Sequence, residues 1–375
     1  MDTSSELIHS LLPVFLASVL GASMATVGLI EGLAEATASI SKLVSGTLSD
    51  YLRKRKLLTV IGYGLAALSK PLFPLAGSVG LVFAARFIDR IGKGIRGAPR
   101  DALIGDIAPP ELRGASYGLR QSLDTIGAVA GPLLAVAFMA LLANNIRAVF
   151  WVATIPAFIA VVILILGVKE PESLSTESKA HPTIRLTGLL HLNAVYWRLV
   201  AIAAVLTMAR FSEAFLLLRA ENVGLAIMFV PLVLVVMNII YAFSAYPAGA
   251  LSDRMDRRNM IAIGCACLIA ADIVLALANN ISAVMVGVVF WGLHMGLTQG
   301  LLAAMVTDTT PPELRGAAFG VFNFVSGVAM LFASLIAGLL WDKFGPPATF
   351  IAGAGFTIIA LAGILIGVRP SPATP

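Results

Sequence analysis

The sequence predicts an all-α membrane protein with twelve transmembrane helices in two six-helix, pseudo-symmetric bundles. Three observations carry that prediction. Hydrophobic residues make up 58% of the 375, charged residues only 13%, and the mean hydropathy is +0.92. A soluble domain carries about a quarter charged residues, so this apolar excess needs lipid to cover it. The apolar residues fall into stretches near the ~20 residues needed to cross ~30 Å of hydrocarbon. Finally, the chain repeats itself. Pro109-Pro110-Glu111-Leu112-Arg113-Gly114-Ala115 returns unchanged as Pro311-Pro312-Glu313-Leu314-Arg315-Gly316-Ala317, 202 residues later. Gly46-Thr47-Leu48-Ser49-Asp50 returns as Gly249-Ala250-Leu251-Ser252-Asp253, 203 residues later. Two phrases sharing nearly one offset mark a duplication.

The spans read, in order, as roughly 8–25, 27–49, 57–76, 79–104, 115–141 and 148–168 in the first half. The second half reads as roughly 197–218, 223–250, 259–278, 282–307, 316–340 and 348–367. The one sizeable polar stretch lies between them. The expected organisation is therefore a six-helix bundle over 1–168, a cytoplasmic linker over 169–195 and a second bundle over 196–375. Met1-Asp2-Thr3-Ser4-Ser5-Glu6 supplies neither a basic n-region nor an Ala-x-Ala site, so the first span reads as retained and not as a cleaved signal.

Basic residues set the expected orientation. Arg53-Lys54-Arg55-Lys56 follows span 2, and Arg254, Arg257 and Arg258 follow span 8. Arg113 and Arg315 follow spans 4 and 10, while Lys169, Lys179 and Arg185 lie between the halves. All fall on one side if both termini are cytoplasmic; Lys70, Arg147, Arg219 and Lys343 are what remains for the other side. The sequence pI near 9.4 thus reflects basic loops, and without a continuous basic face no nucleic-acid partner is expected. Cys265 and Cys267, two apart in an apolar stretch, suit neither a zinc site nor a disulfide framework. No cofactor is expected. The sequon Asn280-Ile281-Ser282 sits tight against a span and reads as chance.

Twelve spans, a 6+6 repeat and Gly46-x-Leu48-x-Asp50 between spans 2 and 3 resemble the major facilitator superfamily. Its signature there reads Gly-x-Leu-x-Asp-Arg-x-Gly-Arg-Arg. Gly46, Leu48, Asp50, Lys54 and Arg55 keep it, while Tyr51 stands for the Arg and Arg53 for the second Gly. The repeat copy keeps Gly249, Leu251, Asp253, Arg254, Arg257 and Arg258, with Asp256 at the second Gly. The resemblance implies that these residues gate access by latching the halves in one state. Arg90 and Gly94 resemble the family's Arg-x-x-x-Gly motif of span 4. Gly127-Ala128-Val129-Ala130-Gly131-Pro132 in span 5 is similar to the Gly-Pro motif of proton-driven exporters, whereas span 11 has Ala329, Ala333 and Ser334 at the corresponding positions. The resemblance implies a transporter of the bacterial inner membrane, working by alternating access between two rocking halves, acting as a monomer and not an enzyme.

The densest charge lies in span 4. Arg86, Asp89, Lys93, Arg96 and Arg100 are spaced 3, 4, 3 and 4 and share one helix face, which Arg90 flanks. Charges at membrane depth cost about 2.5–3.5 kcal/mol each, so this face must look into a water-filled cavity or onto carboxylates. Glu31, Glu35 and Lys42 share a face of span 2, and Arg120 and Asp124 stand four apart in span 5. The second half has fewer such groups: Arg210 and Glu213 in span 7, Asp272 in span 9, His294 and Gln299 in span 10. Expected cavity residues are Arg86, Arg90, Lys93, Arg96, Arg120, Arg210, His294 and Gln299. Expected proton-coupling residues are Glu31 and Glu35 first, with Asp89, Asp124, Glu213 and Asp272 behind them. Asp106 and its copy Asp308 read as structural, capping or latching the repeated loop.

No phosphate-binding Gly-x-x-x-x-Gly-Lys-Ser/Thr loop occurs, so an ion gradient is the expected energy source. The expected activity is proton-coupled export of a small organic solute, with many cations favouring a polar or anionic one. Uptake of an organic anion by a symporter or uniporter is the alternative. A membrane sensor or lipid-handling protein on the same fold is the alternative of another class.

Overall fold

The computed structural model describes residues 1–52, 54–109, 112–168, 192–252, 256–311 and 314–367. These form twelve helical spans and, among the described residues, no strand. Span α1 comprises Asp2–His9, Leu12–Val14 and a π-helical segment Phe15–Val19; α2 is Met24–Leu52; α3 is Arg55–Ser69 extended by Leu72–Leu75. Then come α4 (Val79–Ile107), α5 (Arg113–Leu141) and α6 (Ile146–Gly167). The second half has α7 (Ala194–Ala209 and Ala214–Asn222), α8 (Leu232–Ser252), α9 (Arg257–Leu277), α10 (Ile281–Asp308), α11 (Arg315–Phe344) and α12 (Pro346–Gly367).

Among the described residues, nine helices are long and apolar enough to cross a membrane by length and composition. The three that fall short are α1, α2 and α4, which hold most of the buried charge of the first half. Lipid-facing surfaces are plain elsewhere. On α6, Trp151, Ile155, Ile159, Ile163 and Leu166 are exposed, while Val149, Phe150, Ala153 and Ala157 are buried. Such a stripe is stable only against hydrocarbon.

The chain divides into two compact units. The first holds Met1–Ala22 and Leu33–Thr183; the second holds Ser23–Gly32 and Ile184–Pro375. Helix α2 is therefore shared. Its first turns group with the second unit, where the Asp342 carboxylate accepts the N–H groups of Met24 (2.9 Å) and Ala25 (2.8 Å). A carboxylate there satisfies orphan donors at the positive end of the helix.

The duplication recurs as local chemistry. Ser78 caps α4 by accepting from Leu81 N–H, and Asn280, 202 residues on, caps α10 by accepting from Ala283 N–H. The sequon asparagine is thus a helix cap. Span α1 breaks after His9 and α7 after Ala209, with Ser10 and Ser212 at equivalent positions in the two breaks. At the far end of α3, Arg147 donates to the carbonyls of Pro74 (2.9 Å) and Ala76 (2.7 Å). The equivalent carbonyls of the second half, Ala276 and Ala278, are met by Arg219 from α7. The same unsatisfied helix end is capped by an arginine from a different helix in each half.

Two expectations need correction. The first span begins at Asp2, not near residue 8, because its polar residues face other polar residues inside the first unit. Lys70, read from sequence as a charge beyond the membrane, is 1% exposed and points into that unit.

Candidate functional site

The charged face of α4 is buried and mostly paired. Arg86, Asp89, Arg90 and Arg96 are each under 5% exposed. Arg86 Nη2 stands 2.7 Å from His9 Nδ1 on α1. A guanidinium only donates, so this contact puts the His9 proton on Nε2. Asp89 accepts from Lys70 Nζ at 2.8 Å, and Lys70 also donates to Ser5 Oγ at 3.0 Å. Arg90 pairs with Glu35 of α2 at 2.9 Å. Arg96 donates to Asp2 at 3.1 Å and stacks over the Tyr63 ring, 4.8 Å from its centroid.

Helix α1 therefore lies along the same face as its counterpart strip. Asp2 meets Arg96, and His9 meets Arg86 at the other end of the ladder. Glu6 sits between, where Lys93, Arg90 and Arg86 act on it electrostatically. Close packing makes this possible. A Cβ on Gly131 of α5 would stand 2.8 Å from Thr3 O and 2.9 Å from Leu7 N. The Gly127–Gly131 stretch is the bed on which α1 lies. On another side, Gly94 lets α4 touch α2 at Ser41 and Ala38, and Ser45 Oγ donates to Gly94 O at 3.0 Å.

Lys93 differs from its neighbours. It is exposed, and it makes no ion pair or hydrogen bond with the described residues. The cluster holds five cations (Lys70, Arg86, Arg90, Lys93, Arg96) against four carboxylates (Asp2, Glu6, Glu35, Asp89). Of these nine charges, the accessible and uncommitted cation is Lys93. One turn further along α4, Arg100, Asp101, Arg120 and Asp124 continue the network, which Asp2 and Tyr63 join to the cluster above. Arg120 donates to Asp124 at 2.8 Å, and Arg100 lies 3.4 Å from both Asp101 and Asp124. Arg120 and Asp124 therefore belong to a brace between α4 and α5.

Glu31 and Glu35 stand one turn apart on α2. Glu31 is buried in the part of α2 that groups with the second unit, whereas Glu35 pairs with Arg90 in the first.

In the second unit, Arg210 and Glu213 flank the break in α7. Ser212 holds that break, its N–H donating to Ser334 Oγ at 3.1 Å and its Oγ accepting from Ala214 N–H at 3.2 Å. Arg210 acts electrostatically on Glu213, Tyr241, Cys265 and His294. His294 is fully buried; its Nδ1–H donates to Gly264 O at 2.8 Å and its Nε2 is unbonded. Gln299, five residues along the same helix, lies on a different face. Asp272 is fully buried, with neither carboxyl oxygen hydrogen-bonded. Among the described residues, no group of three metal-ligating side chains gathers in either unit.

The signature motif shows a repeated ion pair. Arg55 donates to Asp106, and Arg257 donates to Asp308, each pair spanning 51 residues. The next basic residue also repeats its role: Lys56 donates to Ile165 O (3.0 Å) and Arg258 to Leu365 O. Asp106 and Asp308 thus hold the basic runs. The side chain of Asp50, and Asp253 and Arg254, lie outside the described residues, as does most of the linker expected over 169–195.

Sequence reasoning missed Asp2, Glu6, His9, Lys70 and Tyr63. The first three carried a signal, since positions 2, 6 and 9 have helical spacing and complement α4. The other two meet α4 only through the packing of α3.

A family model described as Major Facilitator Superfamily matches residues 1–219 and again 214–375. An uncharacterised MFS-type transporter of Methanocaldococcus jannaschii is 34% identical over 374 residues, covering 97% of this chain and 91% of the relative. A quinolone resistance protein of Staphylococcus aureus is 23% identical, covering 96% of this chain and 91% of the relative. Among solved structures, a D-xylose–proton symporter superposes with a TM-score of 0.75 at 16% identity, covering all of this chain and 98% of the other. That last likeness concerns the fold alone.

Proposed function

This chain belongs to the major facilitator superfamily, a family of multi-pass membrane transporters and not of enzymes, and on that premise we propose that it exports a small organic anion in exchange for protons. The observation that carries the reading is Lys93. It is the exposed cation, without an ion pair among the described residues, of a cluster whose other cations are buried and paired, and that cluster has one more cation than carboxylates. A partly desolvated cation attracts a carboxylate or phosphate strongly, and neighbouring Arg90 adds bidentate capacity.

In this reading, Arg86, Arg90, Lys93 and Arg96 of α4 form the solute site, with Glu6 and Glu35 setting its charge. Arg210, Glu213 and His294 form a second polar site at the α7 break. The Arg55–Asp106 and Arg257–Asp308 pairs brace the gating motif. The domains are bundles over 1–168 and 196–375 joined by a cytoplasmic linker, with both termini cytoplasmic in an inner membrane, and the working form is a monomer. Export is supported by the one-sided Gly131-Pro132 motif and by the resistance named for the staphylococcal relative.

Reconstitution tests this directly. Proteoliposomes carrying a pH gradient of either sign are screened against anionic, zwitterionic and cationic organic solutes. The proposal expects anions alone to move, against the proton flow. Movement of an anion with the proton flow instead would make the protein an uptake symporter. Selective movement of cations would overturn the assignment to Lys93.

A further inference from the structure

Asp272 stands on α9, 0% exposed, and neither carboxyl oxygen has a hydrogen-bond partner. A Cβ on Gly353 of α12 would stand 2.7 Å from Asp272 Oδ2 and 3.1 Å from Phe211 Cε1. The carboxyl thus rests against bare α12 backbone, beside the ring of Phe211. That ring packs on Phe215 (5.6 Å), Trp291 (5.4 Å) and Phe350 (5.6 Å), so the side of the carboxyl at Phe211 is backed by aromatic carbon.

Titratable and charged groups on the neighbouring elements lie elsewhere. They are Tyr196, Arg198, Arg210, Glu213, Arg219 and Glu221 on α7, Tyr241 and Tyr246 on α8, Arg257, Arg258, Cys265 and Cys267 on α9 itself, and His294 and Asp308 on α10; α12 has none among its described residues. Arg210 acts on Glu213, Tyr241, Cys265 and His294, but none of these groups acts on Asp272. His294 has committed Nδ1 to Gly264 O. A bare carboxylate in such a place would cost several kcal/mol, so something must neutralise it. A metal cation requires several oxygen ligands, and the contacts here are a glycine and aromatic carbons. The ligand this pocket admits is a proton.

Three of the other candidate carboxylates are engaged. Glu35 holds Arg90, Asp89 holds Lys70, and Asp124 holds Arg120. Glu35 and Asp89 are each held charged by the cation that faces them, which makes them poor carriers. We propose that Asp272, on α9 of the second unit, is the proton-carrying group of this transporter. This rests on the proton-coupled reading above and assigns its site. The proton binds one Oδ while the carboxyl is buried. It leaves to water when the packing of α9 against α12 and the α7 break opens.

The test uses protons themselves as the probe, so it does not depend on the solute. Infrared spectra of the purified protein in lipid nanodiscs are recorded across neutral to alkaline pH, in H₂O and D₂O. Wild type is expected to show a protonated-carboxyl C=O band that shifts in D₂O and fades as pH rises. Asp272→Asn and Asp272→Val should lack that band, while Glu35→Gln should keep it. A band unchanged in both Asp272 variants, or one that never titrates in wild type, would overturn the inference. In proteoliposomes, with an anion that wild type moves, Asp272→Asn should reduce gradient-driven accumulation roughly tenfold or more and leave counterflow within about twofold. Unimpaired accumulation in Asp272→Asn would sink this assignment alone. A wild type insensitive to the gradient would sink the proton-coupled reading itself.

Discussion

Arg96 on α4 donates to Asp2 on α1 at 3.1 Å, joining the second residue of the chain to a helix 94 residues away. Arg96 is 4% exposed and Asp2 about a third, so the arginine suffers more from losing its partner. Asp2→Ala is expected to destabilise the protein by about 1–3 kcal/mol, below the fully buried range because Asp2 is partly solvated. In a thermal-unfolding cycle, Asp2→Ala with Arg96→Ala should cost less than the two single changes added together. Strict additivity would mean that the pair contributes nothing.

Lys93 and Arg90 should separate binding from bracing. Lys93 makes no ion pair with the described residues and acts on Glu6 and Glu35 only at longer range, so Lys93→Ala should weaken anion binding roughly tenfold or more while lowering the melting temperature less than Arg90→Ala does. Arg90→Ala strands Glu35 and should lower the melting temperature, with partial rescue by Glu35→Gln. If affinity in the rescued protein equals wild type, Arg90 only braces the bundle and the solute site loses it.

The two motif pairs should not be equivalent. Arg55 and Asp106 are 17% and 24% exposed, against 32% and 57% for Arg257 and Asp308. Water screens the second pair more strongly, so Arg257→Ala is expected to change stability by less than about 1 kcal/mol. Arg55→Ala should slow transport more, and the exchange Arg55→Asp with Asp106→Arg should restore part of the rate. Initial rates at low and high salt measure this; a larger defect in Arg257→Ala would contradict the ranking by burial.

Arg219 is 6% exposed and donates to the carbonyls of Leu275, Ala276 and Ala278. Arg219→Ala leaves these buried acceptors without a donor, at about 1–3 kcal/mol for each that water cannot reach. Arg219→Lys should recover only part of the loss, since one ammonium cannot span three carbonyls as a planar fork does. Equal melting temperatures for the two variants would show that the fork geometry is irrelevant.

Much of this architecture was legible in the residues. Apolar stretches located most spans, because crossing hydrocarbon needs a length of helix that composition reveals directly. The repeated phrases exposed the duplication, and the structure carries it down to Ser78 with Asn280 and Arg55–Asp106 with Arg257–Asp308. The helical spacing of the α4 charges was also visible, since that periodicity belongs to a single element. Partner choice was not. Span 1 was expected to start near residue 8, which left Asp2 and Glu6 outside the membrane helix and Arg96 and Arg90 short of their neighbours. Lys70 read as a topology signal, yet it turns inward to Asp89.

What the sequence by itself determined was therefore everything written along one helix: length, apolar face, charge spacing, caps and the repeat. Only the tertiary structure decided which charges are committed and which are not. Lys93 and Asp272 look no different in sequence from Arg90 and Asp89. An ion pair depends on which side chain a neighbouring helix brings within about 4 Å, and a repeat of spacing carries no such distance. The crossing of α1 over α4 and the bare backbone at Gly353 set those distances, through contacts between residues far apart in the chain.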